Sequence, residues 1–118
     1  MTPEAFHAAA LALPGATFDV KWGADRVYSV GGKMFAVAGR EGDAAPLYAM
    51  KASDASFEQL VEEGAAIPAP YLARAKWVQF TGTPPVSEDQ LLAYLRQAHA
   101  LVAAKLSGKR RLGLGVAS

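Results

Sequence analysis

At 118 residues the chain fits one domain, with a core large enough to need no covalent staples. It contains no cysteine, which excludes a disulfide scaffold, a thiolate metal centre and a cysteine nucleophile, and favours a reducing, cytoplasmic compartment. The net charge of +1, from 12 basic and 11 acidic residues, excludes a strongly basic protein, so a nucleic-acid role would have to rest on charge segregation.

The first 15 residues predict an amphipathic helix. Thr2 is a candidate N-cap with Pro3 at the first helical position, and Pro14-Gly15 stops the pattern. The apolar residues that recur at helical spacing are Phe6, Ala9, Ala10 and Leu13. The short apolar run, interrupted by Glu4 and His7, resembles a signal peptide only weakly, so a helix is the preferred interpretation, and no stretch of the sequence is long enough to cross a membrane.

The stretch from Arg26 to Gly39 predicts a tight antiparallel hairpin, because Gly31-Gly32 can supply the two positive φ angles of a primed turn. Counting outward from the turn predicts the strand pairs Val30–Lys33, Tyr28–Phe35 and Arg26–Val37. This register predicts one face, expected to be the core face, composed of Tyr28, Val30, Phe35 and Val37. The opposite, mildly apolar face would consist of Val27, Met34 and Ala36. Further strands are predicted at Thr17–Trp22, Leu47–Lys51 and Trp77–Thr81.

Cap residues in the sequence predict two more helices. Ser53 begins one that Gly64 ends, and the capping-box pair Ser87 and Gln90 begins another that runs to about Ser107. A packed loop is expected over residues 65–76. The pattern predicts a two-layer α+β domain over residues 1–108, with a five-stranded antiparallel sheet and three helices on one face. A frayed tail over 109–118 carries the basic run Lys109-Arg110-Arg111.

No residue pattern supports catalysis. His7 and His99 lack HxxxH, HxxE or GxSxG partners, and neighbouring carboxylates such as Glu62-Glu63 point apart on a helix. Gly31-Gly32-Lys33 lacks the spacing of a phosphate-binding loop. We therefore expect a non-enzymatic protein without metal or cofactor.

Several short motifs in a fixed order carry a family resemblance. They are Pro14-Gly15, Trp22, Gly32-Lys33, Met50-Lys51, Pro70-Tyr71-Leu72 and Lys76-Trp77. In these the chain resembles, over nearly its whole length, the MmcQ/YjbR family of small bacterial proteins. The resemblance implies a fold akin to CyaY-like and secretion-chaperone-like arrangements, and a DNA-binding role based on a proposed "double wing". Where family members often carry Ser-Tyr in the last helix, this chain has Ala98-His99.

The implied nucleic-acid-binding residues are Lys33, Lys51, Lys76 and Trp77, and Arg74 joins them because it also lies near a strand end. A buried Trp77 beside a solvated lysine is the competing interpretation. Three functions stay open: weak, sequence-tolerant DNA binding, a protein-interaction module, and a small-ligand binder using a groove between the sheet and loop 65–76. We expect a monomer or weak dimer.

Overall fold

The computed structural model describes residues 2–21, 25–39, 47–70, 72–81 and 86–106. The elements in chain order are α1 (Pro3–Leu11), β1 (Ala16–Lys21), β2 (Asp25–Val30), β3 (Lys33–Ala38), β4 (Leu47–Lys51), α2 (Asp54–Glu62), β5 (Ile67–Pro68), a 3₁₀ turn (Ala73–Ala75), β6 (Trp77–Thr81) and α3 (Glu88–Ala103). Trp22, Tyr71 and the predicted tail with its basic run lie outside the described residues.

The helix starts follow the predicted caps. Thr2 Oγ1 accepts the Ala5 N–H at 3.1 Å, and Ser53 Oγ accepts the Ser56 N–H at 3.1 Å. Ser87 and Gln90 form both bonds of the capping box, at 3.1 and 2.8 Å. These local bonds satisfy amides that have no partner inside a helix, which is why the starts are readable in the sequence.

The end of α3 differs from its prediction. The helix ends at Ala103, before Ser107, because the Lys105 and Leu106 amides donate three residues back, to Val102 and Ala103. This tighter turn brings the Leu106 side chain over Gly31 in the β2–β3 turn. The last turn of α3 is thereby fixed to one end of the sheet.

The six strands form one antiparallel sheet in the order β1-β2-β3-β4-β6-β5. All three helices contribute to one core cluster on one face of it, which confirms the two-layer α+β prediction. The largest side chains buried there include Phe6, Tyr28, Phe35, Tyr48 and Phe80. Phe6 of α1 stacks on Tyr48 with ring centroids 4.7 Å apart, which ties the first helix to the centre of the sheet.

One irregularity corrects the predicted hairpin faces. The β2–β3 register shifts between Tyr28 and Ser29, so Tyr28 pairs with Ala36 and not with Phe35. Such a bulge places two residues of β3 opposite one of β2. Phe35 and Ala36 both enter the helix-side core, and Val37 moves to the opposite face beside Val27. The predicted positions of Ala36 and Val37 were therefore wrong.

The strand count is also corrected, from five to six. Ile67 and Pro68 pair with Gln79 and Val78 as the two-residue strand β5, in a segment predicted as loop. The sequence does not mark this strand, because it is very short and contains a proline, which is accepted at a sheet edge.

Candidate functional site

The face of the sheet turned away from the helices carries a second apolar cluster. Four strands and the segment before β6 contribute its buried residues, which are Val27, Val37, Ala49, Ala69 and Trp77. Alternation along the strands explains the pattern, since Val78 and Phe80 point to the helices while Trp77 points away. Short chain segments, and no helix of the described residues, cover this layer.

A groove of about 520 Å³ lies on this layer, and we call it the outer groove. The described residues that line it are Asp25, Met34, Val37, Leu47, Ala49, Ala69, Pro70, Leu72 and Gln79. Apolar side chains of β3 and β4 form its floor, and Ala69, Pro70 and Leu72 form a wall. Asp25 and Gln79 are the polar side chains in this described lining.

Backbone hydrogen bonds hold the wall against the start of β6. The Ala69 N–H donates to the Trp77 carbonyl at 3.0 Å, and the Trp77 N–H donates to the Leu72 carbonyl at 3.3 Å. Lys76 reverses the chain with φ of +63°, a left-handed conformation that costs a non-glycine residue about 1–2 kcal/mol. The groove is therefore built by a fixed turn, and burial of the Trp77 side chain beneath it offsets the strain.

Basic residues gather at one end of the sheet. Lys51 ends β4 opposite Trp77 in the β4–β6 ladder, and its ammonium donates to the Ala75 carbonyl. Burial lowers the pKa of Lys51, and the charges of Lys105 and Lys76 lower it further, while Asp54 opposes the shift. The Lys76 and Lys105 ammonium groups therefore each lie within electrostatic reach of Lys51, and we call Lys51, Lys76 and Lys105 the basic end.

The predicted nucleic-acid residues are only partly brought together. Lys33 starts β3 at the same end of the sheet and is exposed, and Arg74 is exposed on the 3₁₀ turn. Lys76 holds its ammonium 4.9 Å from the centroid of the Phe57 ring. Trp77 is 4% exposed, so its ring packs in the cluster under the outer groove and is covered against base stacking.

Lys105 was missed in the sequence. It lies two residues past the end of α3, in the turn that docks Leu106 over the β2–β3 turn, and this docking brings it within electrostatic reach of Lys51. No local pattern carries that information, because it depends on where the helix ends relative to the sheet.

The two histidines are held by structural contacts. His99, 5% exposed, donates its Nε2–H to the Pro14 carbonyl at 2.7 Å and meets Phe35 edge-on. His7 Nδ1 lies 2.9 Å from the Tyr28 hydroxyl, in a contact where either group can donate. Burial raises the pKa of Tyr28, against the opposing effect of Arg26. Among the described residues, no group of three or more His, Cys, Asp or Glu side chains is placed to hold a metal, and no helix could span a membrane.

Comparison with known proteins decides the family. The family model YjbR matches residues 11–101, most of the chain. The chain belongs to the YjbR family. The predicted resemblance is thereby confirmed, although no curated protein matches the chain.

Two solved structures share this YjbR fold. A Deinococcus radiodurans protein with the family domain DUF419 superposes with a TM-score of 0.87 at 22% identity, covering 98% of this chain and 89% of its own. A Pseudomonas syringae protein superposes with a TM-score of 0.70 at 16% identity, covering 86% of this chain and 99% of its own. At these identities the likeness shows the fold alone.

Proposed function

We propose that this YjbR-family chain is a non-catalytic binding domain whose ligand is a small, largely apolar molecule in the outer groove. The observation that carries the proposal is the groove itself, a concave apolar surface on the layer that the helices leave uncovered. Its volume of about 520 Å³ falls within the roughly 300–1,000 Å³ of small-molecule sites.

The residues that line the outer groove support ligand binding without catalysis. Ligand sites combine apolar walls with a few polar groups that fix orientation, and Asp25 and Gln79 can serve in that way here. A catalytic site needs a nucleophile with a base, or a base poised near a reacting atom. His7 and His99 are instead engaged with Tyr28 and Pro14. The cysteine-free composition supports a cytoplasmic location.

Nile red, a neutral dye that brightens in apolar surroundings, tests the proposal. We expect saturable binding, with amide shifts in an NMR titration centred on Val37, Ala49 and Leu72. Ala49→Leu puts a larger side chain on the groove floor and should weaken binding at least several-fold. Ala75→Leu makes the same change at an exposed position outside the groove and should leave binding unchanged. Shifts on the helix face, or equal binding by both variants, would show that the groove is not the site.

A second candidate function, DNA binding, is favoured by the basic end. Lys51, Lys76 and Lys105 are close enough for the latter two to lower the pKa of the first, and Lys33 lies at the same end of the sheet. Such a cluster could contact two to four phosphates, which corresponds to a log–log salt slope of about −2 to −4 and a dissociation constant near 10⁻⁴ to 10⁻⁶ M.

Fluorescence anisotropy with short unrelated duplexes tests the DNA candidate. Changing Lys33 and Lys51 together to Ala should weaken binding equally for all duplexes and flatten the salt slope by about two. Lys21→Ala is the matched control, because Lys21 pairs with Asp25 at the opposite end of the sheet. An unchanged slope in the double variant would reject the basic end. Absence of binding at low salt would leave the outer groove as the functional surface, for a small ligand or for a protein partner.

A further inference from the structure

The described lining of the outer groove carries charge of one sign only. Asp25 is the ionisable side chain there, Gln79 adds a neutral amide, and the remaining lining residues are apolar. None of the three lysines of the basic end belongs to that lining. A ligand that fills the groove therefore meets a single carboxylate in otherwise apolar surroundings.

The strand register sets Asp25 and Gln79 on opposite sides of the groove floor. Four residues pair in succession across β2, β3, β4 and β6 and form one row on the outer face, namely Val27, Val37, Ala49 and Gln79. Neighbouring strands lie about 4.8 Å apart, so this row spans about 14 Å. Asp25 lies two residues before Val27 and faces the same side of the sheet. An apolar floor about as long as an extended decyl chain therefore separates the two polar side chains.

The Asp25 carboxylate is available to a ligand. Asp25 is half-buried, and it makes no hydrogen bond or ion pair with another residue that the structure describes. Lys21 opposes it in the β1–β2 ladder but has an exposed side chain that forms no ion pair with it. A carboxylate loses hydration where an apolar ligand covers it, and a cationic donor on that ligand offsets the loss. A neutral ligand offsets less of it, and an anionic head group adds repulsion.

We propose that the ligand of the outer groove is an apolar molecule with one cationic amine, whose ammonium binds the Asp25 carboxylate while its apolar body lies along the floor towards Gln79. The assignment names the class of ligand for the same groove, so it rests on the proposed function. Charge recognises the head group, and buried apolar area holds the body, so the two contributions are measurable separately.

Three probes with the same decyl chain separate charge from apolar contact. At neutral pH decylamine is cationic, decanol is neutral and decanoate is anionic. In displacement titrations against Nile red, decylamine should bind about five- to tenfold more tightly than decanol, and decanoate more weakly than decanol. In NMR titrations all three probes should shift the Val37 and Ala49 amides, and decylamine should shift the Asp25 amide most.

Two substitutions at Asp25 test the role of its charge. Asp25→Asn keeps the shape of the side chain and should lower the affinity for decylamine to that for decanol, with decanol and Nile red binding unchanged. Asp25→Lys should reverse the order, so that decanoate binds more tightly than decylamine. Asp89→Asn makes the same change in net charge on exposed α3, outside the described lining, and should change none of the affinities.

The Nile red measurements tell failure of the amine assignment from failure of the proposed function. If Nile red binding responds to Ala49→Leu but decylamine binds no better than decanol, the groove is the site and the amine assignment is overturned. The same holds if Asp25→Asn keeps the preference for decylamine, or if Asp89→Asn loses it equally. If Nile red does not bind in the groove, the proposed function is wrong and the amine assignment fails with it.

Discussion

Gly31→Ala should destabilise the fold more than alanine at a positive-φ glycine whose added β-carbon would contact no other residue. Gly31 has φ of +60° and Gly32 has φ of +80°, the two positive angles of the predicted primed turn. A β-carbon at Gly31 would lie 2.7 and 2.8 Å from the two δ-carbons of Leu106. The substitution therefore strains the backbone and collides with the side chain that docks the end of α3.

The expected magnitude is the sum of two effects. A left-handed conformation costs a non-glycine residue about 1–2 kcal/mol. Overpacking against Leu106 adds about 1 kcal/mol, at the low end of its range, because the δ-carbons are the mobile end of a side chain. The free energy of unfolding should fall by about 2–3 kcal/mol, and Tm by roughly 4 °C for each kcal/mol.

Gly64→Ala separates these effects. Gly64 follows α2 with φ of +74°, and a β-carbon there would meet nothing within 4 Å. It reports the backbone cost alone, about 1–2 kcal/mol. In a Leu106→Ala background, Gly31→Ala should cost no more than Gly64→Ala, which gives a coupling energy of about 1 kcal/mol in a double-mutant cycle.

Urea unfolding followed by circular dichroism measures all five proteins, the wild type, the three single variants and the double variant. The reasoning would be refuted if Gly31→Ala cost the same as Gly64→Ala, or if removing Leu106 left the cost of Gly31→Ala unchanged. Either result would mean that Leu106 does not hold the helix end against the turn.

Three further changes probe other contacts. Ser87→Ala removes one half of the capping box and should lower the free energy of unfolding in urea by about 1 kcal/mol. Ser56→Ala is the control and should have a smaller effect, because the α2 cap uses the Ser56 amide and not its side chain. Tyr28→Phe should cost about 1 kcal/mol at neutral pH by losing the contact with His7. Burial raises the pKa of Tyr28 in the folded state, so the stabilising effect of its hydroxyl is complete below about pH 10 and is lost as the pH rises further. Above about pH 10 the free energy of unfolding should therefore fall less with pH in Tyr28→Phe than in the wild type. Equal slopes of this free energy against pH in the two proteins would contradict the prediction. Met50→Ala, in the buried centre of β4, should cost about 2–5 kcal/mol, and a smaller loss would mean that the core closes the cavity.

The parts of this fold that could be predicted from sequence are those fixed by neighbouring residues. Thr2, Ser53 and Ser87 cap helices because a side-chain oxygen three residues away from an amide suffices. Gly31 and Gly32 form the turn because glycine adopts positive φ without a steric penalty. None of these features requires knowledge of distant contacts.

The parts that could not be predicted depend on packing between elements. The β3 bulge opposite Tyr28 and Ser29 lets Phe35 and Ala36 both reach the helix-side core. No local pattern in the hairpin sequence predicts this bulge. Lys105 reaches the basic end only because α3 stops early. Predictions from periodicity assume uninterrupted strands and helices. They fail where one extra or one missing residue moves the following side chains to another face of the element.

The bulge also explains why an apolar groove exists on the outer face. In the unbulged register Val37 would point into the helix-side core, and Ala36 would take its place on the outer face. The groove would then lose a branched apolar side chain from its floor, and the core would have to accommodate that side chain instead of alanine. A single inserted residue thus serves both layers.

The outer groove and the basic end share one structural support, a segment formed by Ala69, Pro70 and the residues from Leu72 to Trp77. Its Ala69 and Leu72 line the groove, its Ala75 carbonyl accepts from Lys51, and its Lys76 belongs to the basic end. Trp77 holds the segment by backbone bonds to Ala69 and Leu72 and by its buried side chain. A ligand that moves the groove wall must therefore move the Lys51 contact as well. The two proposed binding functions should be coupled, and the Ala75 and Lys76 amides should report both in one NMR titration.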